Sequence, residues 1–311
     1  KFLDNKDTLR ILVYHHIEKK DFKKFFNQFK ILKKKWNFIT PAQFENHIYG
    51  KKKLTGKNLL LTFDDGFKSN FYVAQGILKK QNIKALFFVP SDFVKIKKKV
   101  QLKKFVKKNI FDNQNIKNYE KFKNMTAKDL KSLVKDGHTI GCHTKTHANL
   151  GLINNIAKLN KEILDSAISL ENLLKIKVKH FAYTYGNYGS MNNKSLRIAF
   201  KRYDFIYSCL RGNNFENKKN NIIKRDTVYL DSSNNLLKIF LSGIIDFKYI
   251  FDLKKIKRLS FVTKMEKVFI LLQLDPAITT LLLIFIYSTR CFSLFFLLIS
   301  SKSCLTINSA V

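Results

Sequence analysis

Short apolar runs alternate with longer amphipathic stretches along most of this chain, and that alternation limits the folds open to it. Runs at 9–17, 58–63, 84–89, 139–142, 178–183 and 205–209 read as strands. Between them, helical spacing predicts helices over 21–36 (Phe25, Phe26, Phe29 and Leu32 on one face), 69–81, 155–176 and 192–202. Thr40-Pro41 opens a short helix with an N-cap and a proline at the first helical position, and Thr126 and Gly137 bracket a helix over 126–135. The polar, lysine-rich stretch 91–124 reads as an irregular insertion. Strands regularly separated by helices predict a parallel α/β sheet or barrel with right-handed crossovers.

Composition removes other classes. Of 311 residues, 45% are apolar, enough for a sizeable core and too many for a disordered chain. Cys142, Cys209, Cys291 and Cys304 are far apart with no C-x-x-C, which argues against a cysteine-held zinc or a disulfide framework. The net charge of +35 admits two readings: a polyanion binder, or drift toward lysine in a chain also rich in Asn, Ile and Phe. The lysines are spread over nearly every element and no nucleic-acid-binding motif is present, so drift is preferred and no nucleic-acid partner is expected.

Two regions differ. Residues 1–267 carry the alternating pattern and form the expected domain. Residues 268–311 are apolar, with Asp275 the only acid and Arg290 and Lys302 the only bases. The runs 281–287 and 291–299 would together span a membrane but for Arg290 between them, since a central charge costs about 2.5–3.5 kcal/mol on insertion scales. This tail is expected to be dispensable for chemistry and to be a membrane contact or a non-essential extension. The polar first residues show no signal-peptide pattern.

The polar residues gather at strand ends. The first strand ends in Tyr14-His15-His16, the second in Asp64-Asp65-Gly66, the one at 139–142 in His143-Thr144-Lys145-Thr146-His147, and the one at 178–183 in Thr184-Tyr185-Gly186. In α/β barrels and open α/β sheets the C-terminal strand edge is where sites form. Each motif alone is a common turn or a chance spacing; together, at successive strand ends, they point to chemistry. Two histidines four apart and one aspartate make a three-ligand site for a zinc-type ion, leaving the second aspartate beside the water such an ion activates.

These residues carry a family resemblance. Thr62-Phe63-Asp64-Asp65-Gly66 resembles the T-F-D-D-G motif of the polysaccharide deacetylase (NodB-homology, carbohydrate esterase family 4) domain. His143-Thr144-Lys145-Thr146-His147 is similar to its second motif. Phe181-Ala182-Tyr183-Thr184-Tyr185-Gly186 and Ile11-Leu12-Val13-Tyr14-His15-His16-Ile17 resemble the branch that deacetylates poly-N-acetylglucosamine. The resemblance implies a distorted (β/α) barrel with fewer than eight strands and a metal-dependent hydrolase that removes N-acetyl groups from an N-acetylhexosamine-containing glycan. It implies Asp65, His143 and His147 as ligands of a divalent metal, zinc being expected, and Asp64 as general base. The Tyr185 backbone N–H would help hold the oxyanion. Cell-envelope or membrane-associated placement is favoured over cytoplasmic.

The departures are specific. No histidine follows His180, so the family's late L-x-x-H acid is absent, and the resembling branch assigns that task to His15. Ala182 stands where many members have the arginine that orients the base. Thr184 replaces the motif's proline and is expected to loosen the turn that aims the Tyr185 amide. A sugar-binding protein that keeps the fold without activity is the rival reading, and a hydrolase of a non-sugar amide a second. His138 and His180 are expected to be structural, His47 to lie on a surface helix and Trp36 to be core. Arg225 and Asp226 open a late strand and could support the site, but are assigned no role.

Overall fold

In a computed structural model, which describes residues 7–116 and 118–259, nine strands form one sheet. They are β1 (Thr8–Tyr14), β2 (Asn37–Phe38), β3 (Lys57–Phe63), β4 (Leu86–Val89), β5 (Thr139–Cys142), β6 (His180–Ala182), β7 (Phe205–Tyr207), β8 (Ile222–Ile223) and β9 (Asp226–Thr227). The order is β8-β7-β6-β5-β4-β3-β1-β9, with β2 also beside β3. Every pairing is parallel. The edge strands β8 and β9 are separated only by Lys224 and Arg225. A sheet whose edges are two residues apart must curl almost onto itself, so the distorted barrel expected from sequence is the one that forms. Counted as one interrupted strand, β8 and β9 close a ring of seven staves.

Alternation along the strands separates two cores. Leu9, Ile11, Leu60, Leu86, Phe88, Ala182, Phe205 and Tyr207 point into the barrel, joined by Phe44 and Ile48 of the helix Pro41–Ile48, which plugs its lower end. Leu12, Tyr14, Leu59, Leu61, Phe63, Phe87, Val89 and Phe181 point outward and meet the helix faces. Those faces include Phe25, Phe29 and Leu32 from Phe22–Lys33, and Leu130 and Leu133 from Ala127–Lys135. Thr40 and Gln43, and Thr126 and Asp129, close reciprocal capping boxes that fix where two helices start.

Residues 91–124 depart from the expected irregular insertion. They contain helices Ser91–Lys95 and Lys99–Phe105, the latter running on through Ile110, and build a third core from Phe67, Phe93, Val106, Ile110 and Phe122. Apolar positions at 93, 94, 102, 105, 106 and 110 carry the pattern; the eight lysines among them mask it. His47 is also corrected: it is buried, its Nε2 2.8 Å from the Phe215 carbonyl and its Nδ1 accepting from the Leu54 N–H. Trp36 is half-buried against the outer core. The tail 268–311 lies outside the described residues.

Candidate active site

The upper strand ends bring Asp64, Asp65, His143 and His147 together. Asp64 continues the inward parity of Leu60 and Thr62, so β3 delivers it to the barrel mouth. Asp65 then takes φ 70° and Gly66 φ 70°, a left-handed pair that turns the chain sharply. A Cβ on Gly66 would come within 3.1 Å of Val89, so glycine suits the position twice over. Thr144 and His147 also hold positive φ (61° and 65°), as does Tyr185 (61°). Backbone strain of this kind, severe for a β-branched threonine, persists only where the surroundings hold it.

The restraints are visible. The Glu162 carboxylate accepts from the N–H groups of Lys145 and Thr146 (3.0 and 2.9 Å) and from the Thr146 hydroxyl (2.8 Å). Thr144 Oγ1 accepts from the Ala148 N–H, and the Thr144 carbonyl accepts from the Ser166 hydroxyl. Thr184 donates to the Ala148 carbonyl at 2.5 Å. The hydroxyl expected to loosen the 184–186 turn therefore ties it to the histidine loop.

Both histidines spend the same nitrogen. His143 Nδ1 lies 2.9 Å from the Ala182 carbonyl and His147 Nδ1 2.7 Å from the Asn109 carbonyl. A carbonyl can only accept, so each Nδ1 carries hydrogen and each Nε2 faces Asp65 Oδ1, at 3.5 and 3.2 Å. Three buried atoms that could ligate a cation converge within 4.8 Å of one another. Burial alone would lift the Asp65 carboxyl, but the two imidazoles hold it well below the usual range; burial lowers His147, and Asp65 more than reverses that. Two imidazole nitrogens with one carboxylate oxygen, each imidazole fixed by a carbonyl behind it, suit a zinc-type ion. The residues present thus fit a divalent metal.

Asp64 sits 3.8 Å from His143 Nε2, and Arg225 grips it from the other side. Its two terminal nitrogens bond the two carboxylate oxygens at 2.8 and 2.9 Å, and its Nε donates to the Ser208 carbonyl. Burial raises the Asp64 pKa, while Arg225 first and His143 next bring it below the ordinary value. Arg225 thus holds Asp64 from the seam between β8 and β9, while position 182 carries an alanine. Parity on the short I-I-K-R-D run was the available signal, since Ile223 and Arg225 point inward and Asp226 outward. Nothing in the sequence marked Glu162 or Asn109, which serve through a loop made elsewhere.

His15 keeps the inward parity of Leu9 and Ile11, is exposed, and lies close enough for its charge to lower both Asp64 and Asp65. His16 turns away: its Nδ1 meets the Ser69 hydroxyl at 2.9 Å and its ring packs on Phe122 and Phe67. The Tyr185 ring stands 5.6 Å from that of His147. Among the described residues no acceptor is found for the Tyr185 N–H. His138 and His180 lie away from this edge, in structural bonds.

The polysaccharide deacetylase family model matches residues 51–202, the segment that carries Asp64, Asp65, His143, His147 and Tyr185. Residues 51–202 are similar to a polysaccharide deacetylase domain. YxkH of Bacillus subtilis, named as a polysaccharide deacetylase, is 26% identical over 205 residues, covering 62% of this chain and 61% of that protein. The deacetylase fold also recurs in solved structures. IcaB from Ammonifex degensii superposes with a TM-score of 0.58 at 21% identity, over 76% of this chain and 98% of that one. The Streptococcus pyogenes deacetylase PplD, solved with acetate, matches with a TM-score of 0.58 at 20% identity, over 75% and 98%. A de-N-acetylase from Aggregatibacter actinomycetemcomitans matches with a TM-score of 0.58 at 17% identity, over 75% and 100%.

Proposed function

We propose that this chain is a metal-dependent N-deacetylase of an N-acetylhexosamine-containing glycan, of the poly-N-acetylglucosamine type, releasing acetate and a free amine. The observation that carries this is the convergence of His143, His147 and Asp65 beside an aspartate held by a buried arginine. The solution of a similarly folded deacetylase with acetate supports the same product.

Asp65, His143 and His147 would hold the ion, for which the donor set favours zinc. When bound, such an ion supplies Lewis-acid polarisation of water and of the amide carbonyl. Asp64 accepts a proton from the attacking water, and Arg225 keeps it ionised and aimed. The Tyr185 N–H, free of an internal acceptor, donates to the oxygen that becomes negative. His15, exposed at the mouth, protonates the departing nitrogen, because an amine anion is too poor a leaving group to depart unaided. The chemistry sits wholly within residues 1–267, and the tail serves attachment at the cell envelope.

The test is acetate release from N-acetylglucosamine oligomers alongside elemental analysis, for the parent and for His147→Ala. The parent should bind one divalent ion and release acetate. His147→Ala should lose both while circular dichroism stays native. Retained metal in the variant would refute the ligand assignment. A folded, metal-loaded parent that releases no acetate from any acetylated glycan would favour the sugar-binding reading.

A further inference from the structure

The helix Asn234–Ser242 follows the barrel seam, turns at Gly243 in a left-handed conformation, and continues through Ile244–Tyr249 into helical residues 250–259. Its inner side is tied down. Leu237, Leu241 and Ile256 are buried, and Asp246 is bonded by Arg10 at 2.6 and 3.0 Å. Its outer side is unlike the rest of the surface. Ile244, Phe247, Ile250 and Phe251, at spacings that share one helical face, are 57%, 61%, 44% and 73% exposed, and Leu236 and Ile239 are exposed on the helix before them. Lys238, Lys248, Lys254, Lys255 and Arg258 flank this stripe and are exposed. Of the nearby acids, Asp246 is occupied by Arg10, and Asp252 lies 4.0 Å from Lys255.

An apolar stripe bordered by cations needs a partner that is both apolar and acidic. A second copy fails on charge, since each chain carries +35. The chain's own residues 268–311 offer apolar surface but one acid against two bases, so they cannot answer the lysines. A leaflet of anionic phospholipid supplies both, apolar depth for the phenylalanines and head-group charge for the lysines. We propose that the stripe Ile244–Phe247–Ile250–Phe251 is a docking surface for an anionic phospholipid bilayer. Its anchor, Arg10, lies in the lower half of β1, about 16 Å along the strand from His15 at 3.3 Å per residue, while Lys255 at its far end reaches the Tyr188 ring at 5.2 Å. The docking surface is independent of whether the domain is active.

The test is co-sedimentation of the full chain with vesicles of phosphatidylcholine alone and of phosphatidylcholine with phosphatidylglycerol, at low and at raised salt. The parent should sediment with the anionic vesicles and release as salt rises. The double variant Phe247→Ser/Phe251→Ser should lower the partition coefficient at least about tenfold, and Lys254→Gln/Lys255→Gln should flatten the salt dependence. Acetate release from soluble oligomers should be unchanged in both variants, which also shows that they fold. Equal partition of parent and double variant would overturn the proposal, with the tail the remaining contact. A parent dimer that becomes monomeric in the double variant would overturn it in favour of self-association.

Discussion

The two ends of the barrel use the same residue types to opposite ends. At the upper mouth His143 and His147 each give one nitrogen to a carbonyl and leave the other facing a carboxylate. At the lower end His180 has both nitrogens engaged, one 2.9 Å from the Tyr207 hydroxyl and one 3.1 Å from Glu45, and burial keeps its pKa below normal despite that glutamate. Each of these imidazoles meets a carboxylate, but at the mouth two imidazoles converge on one aspartate, whereas His180 meets Glu45 alone. The arginine–aspartate pairs divide likewise. Arg225 holds Asp64 from inside the barrel, while Asp226, next in the chain, points outward and is enclosed by Arg10 and Arg211. One carboxylate keeps an open side toward His143 and the other keeps none.

Breaking the upper pair should have the largest effect. Arg225→Met leaves Asp64 buried without its cation, a change that typically costs about 3–5 kcal/mol. Arg225→Lys, which keeps the charge and loses the fork, guards against outright unfolding. Asp64 is held below its unfolded pKa, so the pair's contribution is present above that value and lost as pH falls through the folded one. Weakening the pair raises the Asp64 pKa, so the acid limb of kcat/KM should move to higher pH in Arg225→Lys. An unmoved limb would show that Arg225 is only a packing residue.

A smaller effect separates the neighbouring histidines. His15→Ala should lower kcat by about 10² or more, within the range of general-acid help, and keep its metal. His16→Ala should leave kcat near the parent value and cost about 1–2 kcal/mol in denaturant unfolding, through lost packing on Phe67 and Phe122 and the Ser69 bond. Reversed results would mean that the first strand presents the other parity to the site.

The smallest effect on rate belongs to the lower end. His180→Ala should lower Tm measurably, because Glu45 and the Tyr207 hydroxyl lose their shared partner, and leave kcat/KM and its pH profile unchanged. A shifted profile would mean that the two ends are electrically coupled through the barrel.

Much of the upper end was legible in sequence because its parts are local. Asp64-Asp65-Gly66 and the two histidines four apart occupy single turns at the ends of apolar runs, where period and position can be read together. What holds those parts was not legible, because it is remote. Arg225 reaches Asp64 from the break between two two-residue strands, where parity alone hinted at it. Asn109 supports His147 from a segment whose apolar positions lie among lysines, and Glu162 clamps the loop from a helix that looks like ordinary surface. Thr184 was misjudged for the same reason: its bond to Ala148 exists only once two strand ends are side by side.

The seam has a consequence for how the protein comes into being. Asp64 and Arg225 are 161 residues apart, and β9 is the last described strand in chain order. On the ribosome, both aspartates and both histidines emerge well before residue 225. At about 5–20 residues per second, most of the barrel is made several seconds before its closing strand. Until that strand docks, Asp64 lacks its bond to Arg225. A product truncated before residue 225 would carry Asp64, Asp65, His143 and His147 without the arginine that pairs with Asp64.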